Sequence, residues 1–210
     1  IFEIPDGVGF TLDGFYLEGN YYGIEHYGGE LNDPITITNN EFVGFEYYAI
    51  EALFEAASQT LTITGNTFRN CDGAVYVGIE DWTVNISDNT FEDCHTAIDI
   101  GSSGPTFGSE NVQIKGNTIN ASLVTGRYGI YLEDAGGGAT VEISGNTIEG
   151  DYEDGIYFDA IGTDGTNRST TLVEKNRISV AGTGLHFGEL FNNAPGDLAV
   201  RYNTIETNAD

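Results

Sequence analysis

Basic residues are scarce in this chain: 7 lysines and arginines stand against 33 aspartates and glutamates, a net charge of -26. A surface of that sign repels nucleic acid and anionic lipid, so neither is expected as a partner. Strongly anionic polysaccharides are disfavoured for the same reason unless a cation bridges them. There are only two cysteines, which cannot build a disulfide scaffold. No apolar run approaches the roughly 18 residues needed for a membrane-spanning helix, so membrane insertion is not expected. Methionine is absent, and the chain opens in mid-pattern with IFEIPDGVGF. We therefore expect a mature secreted or cell-surface protein, or a segment of a larger one. Also missing are G-x-S-x-G, H-E-x-x-H, P-loop and C-x-x-C motifs, and any amphipathic helical stretch. The chain is not disordered, because 40% of its residues are hydrophobic and 12% aromatic.

What is present is a repeat, seen most clearly in TVEISGNTIEGDYEDGIYFD (140–159). The unit reads apolar-x-apolar-x-x-Asn-x-apolar, then a short run, then Gly or Ala followed by an aliphatic. The asparagine recurs at Asn40, Asn66, Asn89, Asn117, Asn146, Asn176 and Asn203, at intervals of 23 to 30 residues. Two residues later come Phe42, Phe68, Phe91, Ile119, Ile148, Ile178 and Ile205. The second landmark is Ile24, Ile50, Val75, Ile98, Ile130, Ile156 and Leu185. Near the start FTLDGFYL (10–17) occupies the same slot with Phe15 in place of Asn.

Short strand-like runs at this period, without helices, predict an all-β fold, a parallel β-helix (β-solenoid) of about eight coils. The crossover rule favours a right-handed coil. We expect residues 1–210 to form a single such domain. Each coil buries one row of side chains and becomes stable only when neighbours stack on it. The asparagines should stack at a buried corner, tolerating the left-handed bend and hydrogen-bonding one another between coils. Cys71 and Cys94 lie one repeat apart and should stack too, as buried inert thiols or as a bridge between coils.

Asparagine and the next landmark aliphatic are 9 or 10 residues apart except between Asn117 and Ile130, where the ASLVTGR insertion (121–127) makes it 13. From the aliphatic to the following asparagine the spacing varies from 14 to 20. One corner is therefore nearly constant. Another carries the variable loops GSSGPTFGSEN (101–111), EDAGGGAT (133–140), DAIGTDGTNRST (159–170) and GELFNNAPGD (188–197).

If the landmark aliphatics point inward, alternation points Glu25, Glu51, Tyr76, Asp99, Tyr131, Tyr157 and His186 outward in one row. Two residues further along lie Tyr27, Leu53, Gly78, Gly101, Glu133, Asp159 and Gly188. A stripe of tyrosines with carboxylates suits sugar: rings stack on apolar sugar faces while acids accept hydroxyl hydrogen bonds. Tyr76, Asp99, Tyr131, Tyr157 and His186 are the expected carbohydrate contacts, for a neutral or weakly charged polysaccharide. Tyrosines also stabilise exposed strands simply by pairing across them.

Catalysis by paired carboxylates is the alternative, since glycoside hydrolysis needs two acids a few ångströms apart. Asp99 with Glu133 or Asp159 is the best pair, and His186 a further proton carrier. No cofactor is required by this pattern. Calcium is the one metal the acidic loops would take, among them Glu80-Asp81 and Asp164. Asp151, Glu153 and Asp154, on one tight bend, are the preferred ligands, although EF-hand spacing is absent.

The strand-bend-strand units ISGNTIEGDYEDGIYF and ITGNTFRNCDGAVYV, with GFTLDGFYLEGNYYGI near the start, resemble the right-handed parallel β-helix repeats of the pectate-lyase-like superfamily. They are most similar to its NosD-like and generic right-handed β-helix branches, over nearly the whole chain. The resemblance implies the fold and leaves the activity open, since it spans lyases, polygalacturonases, epimerases, tailspikes and adhesins. The polygalacturonase set (NTD, G-x-DD, GHG, RxK) is absent, as is the lyase arrangement of calcium-binding aspartates followed by a basic cluster. The expectation is a non-catalytic extracellular module that binds carbohydrate or serves as surface structure. A polysaccharide-active enzyme and a self-associating adhesin or fibre segment are the alternatives. The bare solenoid ends invite self-association or capping by flanking domains.

Overall fold

Alternating apolar residues in each repeat become short parallel strands whose inward side chains meet those of the coils above and below. The computed structural model describes residues 2–5, 8–19, 21–27, 34–53, 59–79, 82–102, 111–135, 138–161, 169–190 and 197–207. Most of the four expected loops lies outside the described residues, as do Glu80, Asp81 and Asp164.

Three strand columns wind in chain order. The first is an eight-stranded parallel sheet running from Phe10–Asp13 through Ile35–Thr38, Thr60–Thr64, Thr83–Ser87, Asn111–Lys115, Thr140–Ser144 and Thr170–Glu174 to Asp197–Arg201. After the asparagine corner come short strands such as Glu41–Val43, Thr67–Arg69 and Thr90–Glu92. The third column comprises Ile24–Tyr27, Tyr48–Leu53, Gly73–Ile79 and Thr96–Ser102, continued by the distal parts of Thr118–Ala135 and Thr147–Ile161 and by Thr183–Leu190. Because those two long strands run through the corner unbroken, the second and third columns belong to one sheet. The architecture is a parallel β-solenoid.

The core is a set of columns. The rings of Phe42, Phe68 and Phe91 stack face to face at 5.0 and 4.9 Å, and Ile119, Ile148 and Ile178 continue the file. Ile37, Ile63, Ile86, Ile114, Ile143 and Val173 form a second buried file, and Ile24 through Ile156 a third.

The asparagine corner is a hydrogen-bond ladder. Asn117 Nδ2 donates to Oδ1 of Asn146 and to the Ile86 carbonyl, both at 3.0 Å. Its Oδ1 accepts from the Asn89 backbone N–H and Nδ2, each at 3.0 Å. The same scheme recurs from Asn40 to Asn203, so every buried amide group in the file is paired. This unbroken ladder spans six turns, and about six replaces the expected eight. The larger number includes the Phe15 unit, which has no rung of its own, and the incomplete final one.

The left-handed bend is made one residue earlier than expected. Asn39, Gly65, Asp88, Gly116, Gly145, Lys175 and Tyr202, each just before a ladder asparagine, have φ between 54° and 67°. The asparagine itself is free to point its amide inward. The 121–127 insertion is not a loop either: it runs within the strand Thr118–Ala135, with a register shift between Ala121 and Gly126. Asp93 Oδ1 holds it, accepting from the backbone N–H groups of Ser122 and Leu123 at 2.8 and 2.7 Å.

Candidate functional site

The third column presents the candidate site. Backbone register aligns Glu25, Glu51, Tyr76, Asp99, Tyr131, Tyr157 and His186 on seven successive strands. Their side chains point away from the core because each follows an inward aliphatic, buried from Ile24 to Ile156 and partly buried at Leu185. Five of the expected site residues, Tyr76, Asp99, Tyr131, Tyr157 and His186, are thus brought into one line.

Two more tyrosines join them from the row three residues earlier, where Tyr48, Gly73, Thr96, Tyr128, Asp154 and Thr183 are in register. Strict alternation misses Tyr48 and Tyr128, because two consecutive buried residues, Ala49-Ile50 and Gly129-Ile130, separate them from the outward row. The rings of Tyr128 and Tyr131 stack at 4.9 Å, those of Tyr128 and Tyr157 at 5.3 Å, and His186 closes the cluster 4.5 Å from Tyr157. Tyr48 stacks on Tyr76 at 5.1 Å. The ring faces are therefore partly spent on one another, contrary to the expectation of open stacking platforms. The surface offers ring edges and hydroxyls instead.

Asp99 lies between the two aromatic clusters and is half-buried. Oδ2 accepts a 2.9 Å hydrogen bond from the Tyr48 hydroxyl. Burial pushes its carboxyl up to about 6; the Glu133 charge adds to the rise, while the Tyr48 hydrogen bond and Arg127 oppose it. Of the two acids considered as its partner, Glu133 is the one that acts on it electrostatically. The Glu133 carboxylate and the Tyr76 hydroxyl flank Gly101, where a Cβ would come within 3.1 and 2.9 Å of them. Asp159 lies on the next coil but one, accepting from the Tyr157 hydroxyl at 2.9 Å. His186 is three strands from Asp99, about 14 Å at the usual strand spacing. It is engaged with Asp154 at 3.1 Å, so it does not serve as a proton carrier for Asp99.

The three-acid calcium bend is also corrected. Asp151, Glu153 and Asp154 lie within the extended strand Thr147–Ile161 and not on a tight bend, so they are strung out along it; Asp151 and Glu153, two residues apart, share its exposed face. Asp151 accepts from Thr125 Oγ1 at 3.0 Å, while Asp154 meets His186. Among the described residues no group of three or more His, Cys, Asp or Glu side chains is placed to hold a metal ion. Cys71 and Cys94 are free and buried, the Cys94 thiol pushed well up by its hydrogen bond with Cys71 and by burial. Among the described residues no helix is long and apolar enough to cross a membrane.

Beside Asp99, where the strands of this column begin, a cleft of about 300 Å³ is lined by Tyr47, Tyr48, Asp72, Gly73, His95, Thr96 and Arg127. They sit at a corner whose conformation the alternation does not fix.

Stacked parallel strands, buried files and an asparagine ladder define the class of protein: a parallel β-helix with a polar, tyrosine-rich outer row. Residues 4–163 match the family described as right handed beta helix region, and the chain belongs to that family. It is a right-handed parallel β-helix, as the resemblance to the pectate-lyase-like superfamily implied. No curated protein and no solved structure matches the chain.

Proposed function

We propose that this β-helix is a carbohydrate-binding module, non-catalytic, which lays a neutral or weakly charged glycan along the line Tyr76, Asp99, Tyr131, Tyr157 and His186. The observation that carries the reading is the register itself. One polar or aromatic side chain is offered per coil, in a straight line on a rigid sheet. Tyrosine hydroxyls and carboxylates satisfy sugar hydroxyls, and ring edges cover apolar sugar surface. The net charge of -26 favours an uncharged ligand. Such polysaccharides are met outside the cell, so the proposal carries a secreted or cell-surface location with it. We treat residues 1–210 as one β-helix domain.

A glycan array followed by titration calorimetry tests this. Tyr157→Ala is expected to weaken the best neutral ligand about tenfold, the worth of one good polar contact. Failure to retain any neutral glycan, or indifference to Tyr157→Ala, would remove the reading.

The carboxyl of Asp99, raised to about 6 beside Glu133, favours a second reading, polysaccharide cleavage with Asp99 as proton donor. Reducing-sugar and unsaturated-product assays on a broad polysaccharide panel decide it. Activity that is absent, or unchanged in Asp99→Asn, rules it out.

A further inference from the structure

Arginine and lysine have little choice of partner in a chain this acidic. Among the described residues Arg69 pairs with Glu41 and Glu92, Lys115 with Glu142, Lys175 and Arg201 with Glu174, and Arg177 with Glu149. Arg127 is the exception. Its guanidinium forms no ion pair among the described residues and lies 4.8 Å from the Tyr128 ring centroid, at the wall of the cleft beside Asp99. Stacking on a ring holds the planar group while leaving its edge N–H donors open.

The cleft has a reason to exist. In the row of Tyr48 and Tyr128, the two intervening strands carry Gly73 and Thr96. Two small residues thus separate the two tyrosines, with the Tyr48 ring leaning over Gly73 as one side of the gap. Tyr47 and Tyr48 form one wall and Arg127 the other, with Asp72 and His95 at the rim, 3.9 Å apart. At about 300 Å³ the space sits at the small end of ligand pockets, fit for a single ring.

We propose that this cleft is a separate subsite that takes one neutral pyranose unit, a chain end or a branch of the glycan on the outer row, with Arg127 donating to its hydroxyls. This rests on the carbohydrate reading above. Asp72 accepts from a hydroxyl on the opposite side, and the tyrosine wall covers an apolar sugar face. An anionic sugar fits poorly, because Asp72 and Asp99 stand close to the single guanidinium.

The test uses the whole chain and matched neutral and uronate-containing oligosaccharides, branched and linear, by titration calorimetry. Arg127→Gln, at an exposed position, should leave the melting temperature unchanged and weaken the neutral ligand about tenfold. Tyr157→Ala serves as the control for the row. If binding falls in Tyr157→Ala but not in Arg127→Gln, the subsite is wrong and the row stands. If the uronate ligand binds more tightly and depends on Arg127, the neutral assignment is overturned. If no oligosaccharide binds, the carbohydrate reading falls and the subsite falls with it.

Discussion

The Tyr48 hydroxyl reaches past an entire coil to donate its 2.9 Å hydrogen bond to Asp99. The intervening strand carries Gly73, and a Cβ there would come within 2.2 Å of the Tyr48 ring. A glycine on one coil thus lets a tyrosine on a second coil bond an acid on a third. Tyr152 skips a coil in the same way, past Gly126 to the Cys94 carbonyl; the Tyr48 contact ties the cleft to the outer row.

Asp99 should make stability depend on pH in a way that its amide does not. Its folded carboxyl titrates at about 6 against the ordinary 3.8, so the folded chain holds the proton more tightly than the unfolded one. That contribution is fully present below about pH 4 and is lost as pH rises through about 6. Asp99→Asn should therefore match the parent near pH 3.5 and exceed it by on the order of 2 kcal/mol at pH 7.5. Urea denaturation at both pH values measures this; an equal difference at the two would contradict it.

Removing one rung of the ladder should be severe. Asn117→Ala strips partners from the Asn89 backbone N–H and amide, the Ile86 carbonyl and the Asn146 amide oxygen. Buried polar groups left unpaired cost about 1–3 kcal/mol each, so a loss of about 3 kcal/mol or more is expected. Thermal denaturation followed by circular dichroism measures it, with Ser144→Ala, on the outer face of the next coil, as the reference.

Two glycines separate backbone strain from crowding. A methyl group added at Gly145, where φ is 67°, would meet no atom nearer than 3.9 Å. At Gly150, with φ of 105°, the same methyl would lie 2.2 Å from the Ala121 carbonyl oxygen. Gly145→Ala should cost about 1 kcal/mol through the left-handed conformation alone. Gly150→Ala should cost clearly more, because backbone must move. Equal melting temperatures for the two variants would refute the distinction.

Much of this is legible in the order of the amino acids. Period-2 alternation fixes which face a residue takes, and stacking forces the same position to recur in each coil. The outward line from Glu25 to His186 and the buried asparagine file follow from that. The number of turns is less secure: a unit with Phe15 in the asparagine slot reads as another coil in the sequence yet adds no rung.

What lay beyond the sequence depended on side-chain direction and on neighbours far apart in the chain. Tyr48 finds Asp99 only because Gly73 leaves the way open between them. Arg127 lies over the Tyr128 ring, with no ion pair among the described residues, because its corner places it there. Asp151 and Asp154 take different partners, Thr125 and His186, because extended strand, and not a bend, runs through them. The repeat alone determined the solenoid, since each coil needs identical apolar positions to bury against its neighbours. Only the tertiary structure decided which polar side chains share a cleft, because that depends on rotamers and gaps that no repeating pattern specifies.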